Sequence, residues 1–430
     1  MAGGGERMMW SRRDALLAMG AAAALPLAGC ARRDENALQF WAMGNEAASV
    51  PKLLQERPLN FAGAPAKIDL QPLPWTAAHE KLLTGFAGDS LPDVGQIGNS
   101  CLSELAAIGA IEPVPAQYQS LIEDQFPGVV DTNRIGDKLW AVPWYVDTRL
   151  HFYRRDLFQK AGYDAPPQRW AEWKQALYKV KAAAGVGNYA ILMPVNEYEH
   201  LVTFALSAGA SMLKDKGTRG AFAAPEFIEA LGFYKSLFDE KLAPLTAAAQ
   251  ISNVWTEFER GFFSIYPSGP WTIGDMKSRL PESFQDKWAT ASNPGPDGPG
   301  SAAPGGSSLV VFKGARKPQE AWALIQHLLD PGNQVAFQKL TGDLPSRRSS
   351  WGAAGLLSDP VVEPFASQLD RSRALPKVPE WERVVSEMQV VAERMVRGQF
   401  SVHEAAAEMD KRADRLLAKR RWMMEQGRAM

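Results

Sequence analysis

The stretch AVPWYVDTRLHFY, residues 141–153, sets one carboxylate, that of Asp147, among aromatic side chains. Trp144 and Tyr145 precede it, and Arg149 follows two positions later. Such a carboxylate can be a catalytic acid, a buried anchor bonded to Arg149 or to the backbone, or the polar contact of a pocket that only binds. We favour the binding contact because Tyr145 stands two residues before it.

Two further positions could face a ligand. The apolar run GFFSIYPSGPW, residues 261–271, predicts a strand that Gly269 and Pro270 end just before Trp271, which suits the mouth of a cleft. The alternative for this indole is the hydrophobic core. Glu46 follows the first predicted strand, and open α/β sheets bind ligands at the carboxyl ends of their strands. Its alternative is a solvated loop.

The chain lacks the sequence motifs of several common metal, hydrolase and nucleotide-binding sites. There is no H-E-x-x-H, C-x-x-C, G-x-S-x-G or G-x-x-x-x-G-K-[ST] pattern, so we expect no metal site, no cofactor and no P-loop. The five His residues are scattered, and His79 lies on an apolar helix face, where a core or lining role fits best. A pair of glycosidase carboxylates remains possible, with Asp147 beside Glu46 or Glu199, although nothing local singles out such a pair.

The composition is that of a globular protein with almost no net charge. The chain has 430 residues, of which 46% are hydrophobic, enough for two or three domains. Lys and Arg number 47 against 48 for Asp and Glu, so binding to nucleic acid through a basic surface is not expected.

The N-terminus is predicted to be a targeting segment. Arg12 and Arg13 precede an apolar run that is too short for a permanent membrane span. The run ends in LAGC at Cys30, which resembles the lipobox of bacterial lipoproteins and makes Cys30 the expected lipid attachment site. A plain secretory signal is the alternative, and both twin-arginine and Sec export fit. Cys101 is the other cysteine, so the mature body is predicted to have no disulfide and Cys101 to pack in the core.

The pattern along the chain favours an α/β fold. Predicted strands at 37–43, 66–75 and 92–97 alternate with helical patterns, which indicates a mostly parallel sheet covered on both faces. Residues 44–51 are predicted to form a loop. Residues 292–308, rich in Pro and Gly, are predicted to form a surface connection or hinge rather than a regular element.

Five longer segments resemble one family when taken in order. They are PWTAAHEKLLTGFAGDSLPDV, VPWYVDTRLHFYRRDLFQKAGYDAPPQRWAEW, FFSIYPSGPW, GGSSLVVFKGARKPQEAWALIQHLLDP and LTGDLPSRRSSW. From Phe40 to about Met395 the chain resembles the extracellular sugar-binding lipoproteins of bacterial ABC importers, the maltose-binding-protein-like group, and within it the branch for trehalose, maltose and related glucosides.

The resemblance implies a type II periplasmic-binding-protein fold: two α/β lobes joined by hinge segments, with the ligand cleft between them. The implied boundaries are a signal peptide at 1–30, an N-terminal lobe at 31–147 plus 307–346, and a C-terminal lobe at 148–306 plus 347–430.

The resemblance also implies the ligand contacts. Asp147 takes the position of a carboxylate that binds sugar hydroxyls, and Trp271 that of a stacking platform. Asn99 stands where the family often carries Asp, which leaves the exact sugar open. The other implied contacts are Asn45, Glu46, Trp144, Tyr145, Tyr198, Gly306, Ser307, Arg347 and Trp381. Taken singly, the aromatic residues Trp144, Tyr198 and Trp381 would fit a core, and Arg347 would fit a salt bridge.

The implied function is that of a non-catalytic receptor. It would capture a small oligosaccharide, such as the α-glucoside disaccharides trehalose or maltose, by hinge closure and deliver it to a permease with a separate ATPase. We expect an exported monomer, periplasmic or on the cell surface, held to the membrane only through Cys30. The alternatives are a secreted, lipid-anchored glycoside hydrolase, which would release glucose from such sugars, and an interaction module that binds long glycans weakly in an open groove.

Overall fold

The chain is described by a computed structural model at Asp34 and at residues 36–427. The predicted signal peptide, residues 1–30, and its lipid attachment site Cys30 therefore lie outside the described residues. None of the described helices is long and apolar enough to cross a membrane.

Short strands and helices alternate through most of the described chain. The strands are β1 Leu38–Met43, β2 Asn60–Phe61, β3 Ala64–Pro65, β4 Ile68–Leu73, β5 Val94–Gly98, β6 Arg134–Ile135, β7 Lys138–Leu139, β8 Val142–Thr148, β9 Leu150–Arg154, β10 Tyr189–Ile191, β11 Leu213–Lys214, β12 Arg219–Gly220, β13 Phe263–Ser268, β14 Trp288–Ala291, β15 Pro304–Val311 and β16 Leu344–Pro345.

Helices cover the two faces of the sheets. The helices are α1 Gly44–Glu56, α2 Trp75–Ala87, α3 Leu102–Ala107, α4 Pro127–Thr132, α5 Arg155–Lys160, α6 Trp170–Ala184, α7 Glu199–Ser207, α8 Pro225–Asp239, α9 Val254–Glu259, α10 Trp271–Arg279, α11 Pro318–Leu328, α12 Pro331–Thr341, α13 Arg348–Ala353, α14 Glu363–Asp370, α15 Trp381–Val396, α16 Val402–Leu416 and α17 Ala418–Glu425.

The first sheet has six strands in the order β16-β8-β15-β5-β1-β4. β1 is parallel to β4 and β5, whereas β15 is antiparallel to both β5 and β8, and β16 is antiparallel to β8. The prediction of a mostly parallel sheet is therefore wrong for the half of this sheet that contains β15, β8 and β16. The reason is that β15 returns to it from the second sheet and inserts between β5 and β8, in the reverse direction.

The second sheet has four strands in the order β10-β13-β9-β14. The chain enters it at Arg149, between β8 and β9, and leaves it between β14 and β15. It crosses again after β16, because Val384 and Val385 of α15 pack in the same cluster as Ile191 and Ile265 of the second sheet. These crossings divide the described chain into the two α/β lobes that the resemblance implied, each with its own sheet.

Residues 44–51 do not form the predicted loop, because α1 begins at Gly44 directly after β1. Gly44 has a φ of 57°, which lets the chain turn at once from strand to helix. Ala47, Val50 and Leu53 are buried at helical spacing in the hydrophobic cluster that α1 forms with the first sheet. Their apolar face outweighs the turn signals of Gly44 and Pro51, on which the loop prediction rested.

The Pro/Gly-rich segment 292–308 is not the predicted surface connection. Its last part belongs to β15, Pro304–Val311, and Asn293 is buried nearer its start. Glycine serves here for close approach rather than flexibility. Gly305 is paired with Asp147 across the two strands, and a Cβ on Gly305 would lie 2.1 Å from Oδ1 of Asp147, so only glycine leaves room for that carboxylate.

Gly306 lets β15 pair closely with β8 in the sheet, and this predicts an effect on stability. Its φ is 98°, and a Cβ there would lie 2.3 Å from the Tyr145 carbonyl oxygen. Gly314 has a similar φ of 87°, but its Cβ would meet nothing within 4 Å. We expect Gly314→Ala to lower the free energy of unfolding by about 1–2 kcal/mol through φ alone. Gly306→Ala should cost about 2 kcal/mol more, from overpacking. Urea unfolding measures both, and equal losses would contradict the close-packing requirement at Gly306.

Candidate functional site

A cavity of about 290 Å³ opens between the two lobes. The loops and helix starts that follow the strands of both sheets converge on it. Asn99 follows β5 and Asp147 lies near the end of β8, on the side of the first sheet. Tyr198, Trp271 and Trp381 precede or begin α7, α10 and α15 on the side of the second sheet. A ligand in this space would touch both lobes.

Half of the predicted contacts meet at this cavity. They are Asn99, Asp147, Tyr198, Trp271, Gly306 and Trp381. The other half do not line it. These are Asn45, Glu46, Trp144, Tyr145, Ser307 and Arg347.

The direction of strand β8 explains why Trp144 is a core residue. Successive side chains on a strand point to opposite faces, so Tyr145 and Asp147 share one face and Trp144 takes the other. There Trp144 is fully buried and stacks on Phe337, with ring centroids 4.7 Å apart. Ser307 on β15 is likewise fully buried. Neither side chain has exposed surface to offer a ligand in this structure.

Tyr145 and Glu46 form a buried pair behind Asp147. The Tyr145 hydroxyl donates a hydrogen bond of 2.5 Å to Oε1 of Glu46, and it accepts one of 3.4 Å from Nε2 of Gln96. Both Tyr145 and Glu46 are buried. Burial, with Glu46 next, raises the pKa of the Tyr145 phenol, so the hydroxyl keeps its proton and remains a donor. The pair supports the strand that carries Asp147.

Arg347 and Asn45 lie elsewhere for different reasons. The guanidinium of Arg347 has its Nε 3.6 Å from Oδ2 of Asp124, and its Nη1 donates to the Leu329 carbonyl. This is the salt-bridge alternative that the sequence left open. Asn45 is exposed in the first turn of α1.

Asp147 is the main electrostatic feature of the cavity. Burial raises its pKa to about 6, while the charge of Arg149 and the backbone N–H of Gly306 lower the pKa and Glu46 raises it. At neutral pH the carboxylate is therefore mostly ionised, and apart from the Gly306 N–H it lacks the hydrogen bonds that water would give it. Donors on a ligand would restore those bonds, which favours binding of a molecule rich in hydroxyl groups.

Asn99 joins two strands at the cavity wall. Its Nδ2 donates to the Gly305 carbonyl at 3.4 Å, and its Oδ1 accepts a 2.7 Å bond from the Ser308 hydroxyl. An amide can donate and accept at once, whereas an ionised Asp accepts only. A neutral amide therefore satisfies both contacts at this position, which an ionised carboxylate could not do.

Arg149 and Glu199 are cavity residues that we did not predict as contacts. Nη2 of Arg149 lies 2.9 Å from Oε1 of Glu199 in an ion pair. The same guanidinium lies over the Trp271 ring, 5.5 Å from its centroid. The indole is 51% exposed, so a large part of it faces the cavity. Arg149 thus orients the ring that a ligand would meet.

Glu382 and Lys377 also line the cavity and were missed. Burial raises the pKa of Glu382, and a hydrogen bond from Ser100 lowers it. Glu382 and Glu199 each stand next to a predicted aromatic residue, and Arg149 stands two positions after Asp147. Their positions beside predicted contacts could have identified Glu199, Glu382 and Arg149 from the sequence. Lys377 lies in an irregular segment between α14 and α15, and no pattern marks it.

The buried carboxyl groups predict how stability depends on pH. Burial, with Glu46 next, raises the pKa of Asp343 to about 7, beside about 6 for Asp147. A folded-state pKa above the unfolded value gives stability that is complete below about pH 4 and is lost as pH rises through 6 to 7. We expect Asp343→Asn to be more stable than the parent by about 2–4 kcal/mol at pH 8 and equal to it at pH 4. Urea unfolding at both pH values measures this, and a difference independent of pH would contradict it.

Comparison with known proteins identifies what this architecture is similar to. A family model described as "Bacterial extracellular solute-binding protein" matches residues 44–335. The solved structure of the sugar-binding protein MalE from Xanthomonas citri is 45% identical, with a TM-score of 0.86, and the match covers 91% of this chain and 99% of that one.

Two further proteins are similar at lower identity, the first in its solved structure and the second in its sequence. The maltose-bound MalE3 of T. maritima is 22% identical with a TM-score of 0.71, and the match covers 88% of this chain and 99% of that one. The diacetylchitobiose binding protein DasA of Streptomyces coelicolor is 22% identical over 322 residues, 74% of this chain and 75% of its own.

Proposed function

Because the chain belongs to the bacterial extracellular solute-binding proteins, we propose that it is the sugar receptor of an ABC importer. The observation that carries the proposal is the pairing of Asp147 with Trp271 across one cavity between the lobes. One is a partly desolvated carboxylate and the other is a half-exposed indole.

Sugar recognition needs both of these groups. Pyranose rings carry C–H groups that pack on an aromatic face, and Trp271 offers such a face. Sugar hydroxyls need fixed acceptors, and hydrogen bonds to charged groups contribute about 1.5–3 kcal/mol each. Asp147 is such an acceptor. The cavity also contains Arg149 with Glu199 as polar groups of opposite charge.

We propose that the lobes comprise residues 31–147 plus 307–346 and residues 148–306 plus 347–430, as the resemblance implied. The chain crossings after β8, before β15 and after β16 support these boundaries. A sugar that touches both lobes only in the closed form would shift the population toward that form. The segments around Arg149 would act as the hinge.

The ligand that fits best is a neutral disaccharide with an α-linkage, such as trehalose or maltose. Asp147, Glu199 and Glu382 stand against Arg149 and Lys377 in the cavity lining, so the charges nearly balance and no strongly charged ligand is favoured. The maltose-bound relative from T. maritima supports the choice of an α-glucoside.

In the cell, the receptor would be exported as a monomer and attached through lipid at Cys30, in the periplasm or on the cell surface. It would pass the sugar to a permease that works with a separate ATPase. The sugar would be released chemically intact, since a receptor needs binding and closure and no bond cleavage.

A sugar panel tests the proposal. Trehalose, maltose, cellobiose and glucose should be compared by thermal shift and calorimetry on the intact protein. We expect an α-linked disaccharide to raise the melting temperature by mass action, with about 2.7 kcal/mol of stabilisation at one hundred times Kd. A response from none of the sugars would contradict the receptor. Sustained release of glucose would instead support the hydrolase alternative.

A further inference from the structure

A second cavity, of about 520 Å³, lies beside the sugar cavity. The residues shared by the two are those of the short segment Leu375–Lys377, which forms a wall between them. The second cavity has apolar surfaces from several elements. They include Ile135 of β6, Met212 before β11 and Met424 of α17. An apolar part of a ligand would be removed from water here.

Positive charge surrounds this apolar space. Lys216, Arg373, Lys377 and Arg420 line it, and none of its described lining residues is acidic. Lys377 is offset by Asp131, whose Oδ1 lies 2.8 Å from Nζ. Among the described residues, the other three cations form no salt bridge. The cavity therefore has a net positive field that favours an anion.

The guanidinium of Arg420 is not fully satisfied within the protein. Its Nε is buried and has no hydrogen-bond partner among the described residues. A buried donor without an acceptor is costly, and native proteins rarely keep one without a reason. Arg373 differs, because its Nη1 donates a hydrogen bond of 3.1 Å to the Leu206 carbonyl.

We propose that this second cavity binds a small amphipathic anion, an acidic group joined to an aliphatic chain. The acidic group would accept hydrogen bonds from Arg420 and be attracted by Lys216 and Arg373, while the chain would pack on the apolar surfaces. Such chemistry occurs in free fatty acids and in anionic membrane lipids.

Titration of the intact protein with decanoate tests the site, with decanol as the neutral match for the chain. We expect saturable binding of decanoate in calorimetry, and binding of decanol weaker by about tenfold or more, because the alcohol lacks the charge-assisted hydrogen bonds. Equal affinities, or no saturable binding of decanoate, would overturn the proposal.

Three variants locate the binding. Arg420→Met keeps the apolar stem and should weaken decanoate binding about tenfold. Lys216→Asn should weaken it about threefold by loss of charge, and Asn tolerates the φ of 57° at this exposed position. Arg397→Met is the matched control, because Arg397 pairs with Glu393 away from the cavity, and it should leave affinity unchanged. Unchanged affinity in both Arg420→Met and Lys216→Asn would overturn the site.

The sugar cavity must be separated from this one, since it also has apolar surface. Trp271→Ala should leave decanoate binding unchanged, and loss of binding in this variant would assign the anion to the sugar cavity and overturn the proposal. Flotation with phosphatidylglycerol vesicles, against phosphatidylcholine vesicles, distinguishes the sources. Binding to the anionic vesicles that Arg420→Met abolishes would support the site with a membrane lipid as its ligand. Decanoate binding without vesicle binding would support it with a free acid.

Discussion

Asp147→Ala is expected to weaken sugar binding about 1000-fold while the protein remains folded. Two charge-assisted hydrogen bonds to sugar hydroxyls, at about 1.5–3 kcal/mol each, account for a loss of about 4 kcal/mol. Folding should survive because the substitution removes a desolvated charge rather than a packing group. Calorimetric titration with the sugar selected by the panel measures the affinity.

Asp343→Ala is the matched control for this variant. Asp343 is also an acid whose pKa burial raises, but it does not line the sugar cavity. We expect its affinity for sugar to stay within about threefold of the parent. Parent-like affinity in Asp147→Ala would reject Asp147 as a contact. An equal loss of affinity in both variants would mean that the summed negative charge of the neighbouring acids matters, rather than direct contact of the sugar with Asp147.

Trp271→Ala is expected to weaken sugar binding about 100-fold, or about 2.7 kcal/mol. The indole would otherwise lose exposed apolar surface on contact with the sugar, and a ring of this size contributes strongly at binding sites. Its removal also takes away the ring contact of Arg149, which keeps its ion pair with Glu199. Stability should change little, because the ring is half exposed.

Trp422→Ala provides the control for loss of an exposed indole. Trp422 is 53% exposed, against 51% for Trp271, and does not line the sugar cavity. It should bind sugar like the parent in the same titration. Parent-like affinity in Trp271→Ala would remove the stacking platform from the proposal and leave the hydroxyl contacts alone.

The alternation of strands and helices predicted an α/β fold, and the family resemblance carried by five motifs in order implied the two lobes. Local patterns were less successful where the chain makes a long-range contact. The antiparallel insertion of β15 depends on a return from the second sheet, and its glycines matter only because Asp147 and Tyr145 of the neighbouring strand β8 lie against them. The Pro and Gly content of residues 292–308 had predicted a surface connection or hinge instead.

The candidate site was predictable in part. Asp147 and Trp271 stand next to strand ends, where ligands of α/β proteins bind, and both line the cavity. Trp144 could have been excluded from the period of the strand, since it alternates with Tyr145 and Asp147. The pairing of Glu46 with Tyr145 joins residues far apart in the chain and required the structure.

The most direct test of the central proposal is a crystal structure of the protein with the sugar that binds most tightly. We predict one intact sugar between the lobes, with a hydroxyl at about 2.7 Å from the Asp147 carboxylate and a ring face at about 4 Å from the Trp271 indole. A sugar bound away from these two side chains, or a sugar cleaved in the cavity, would contradict the receptor.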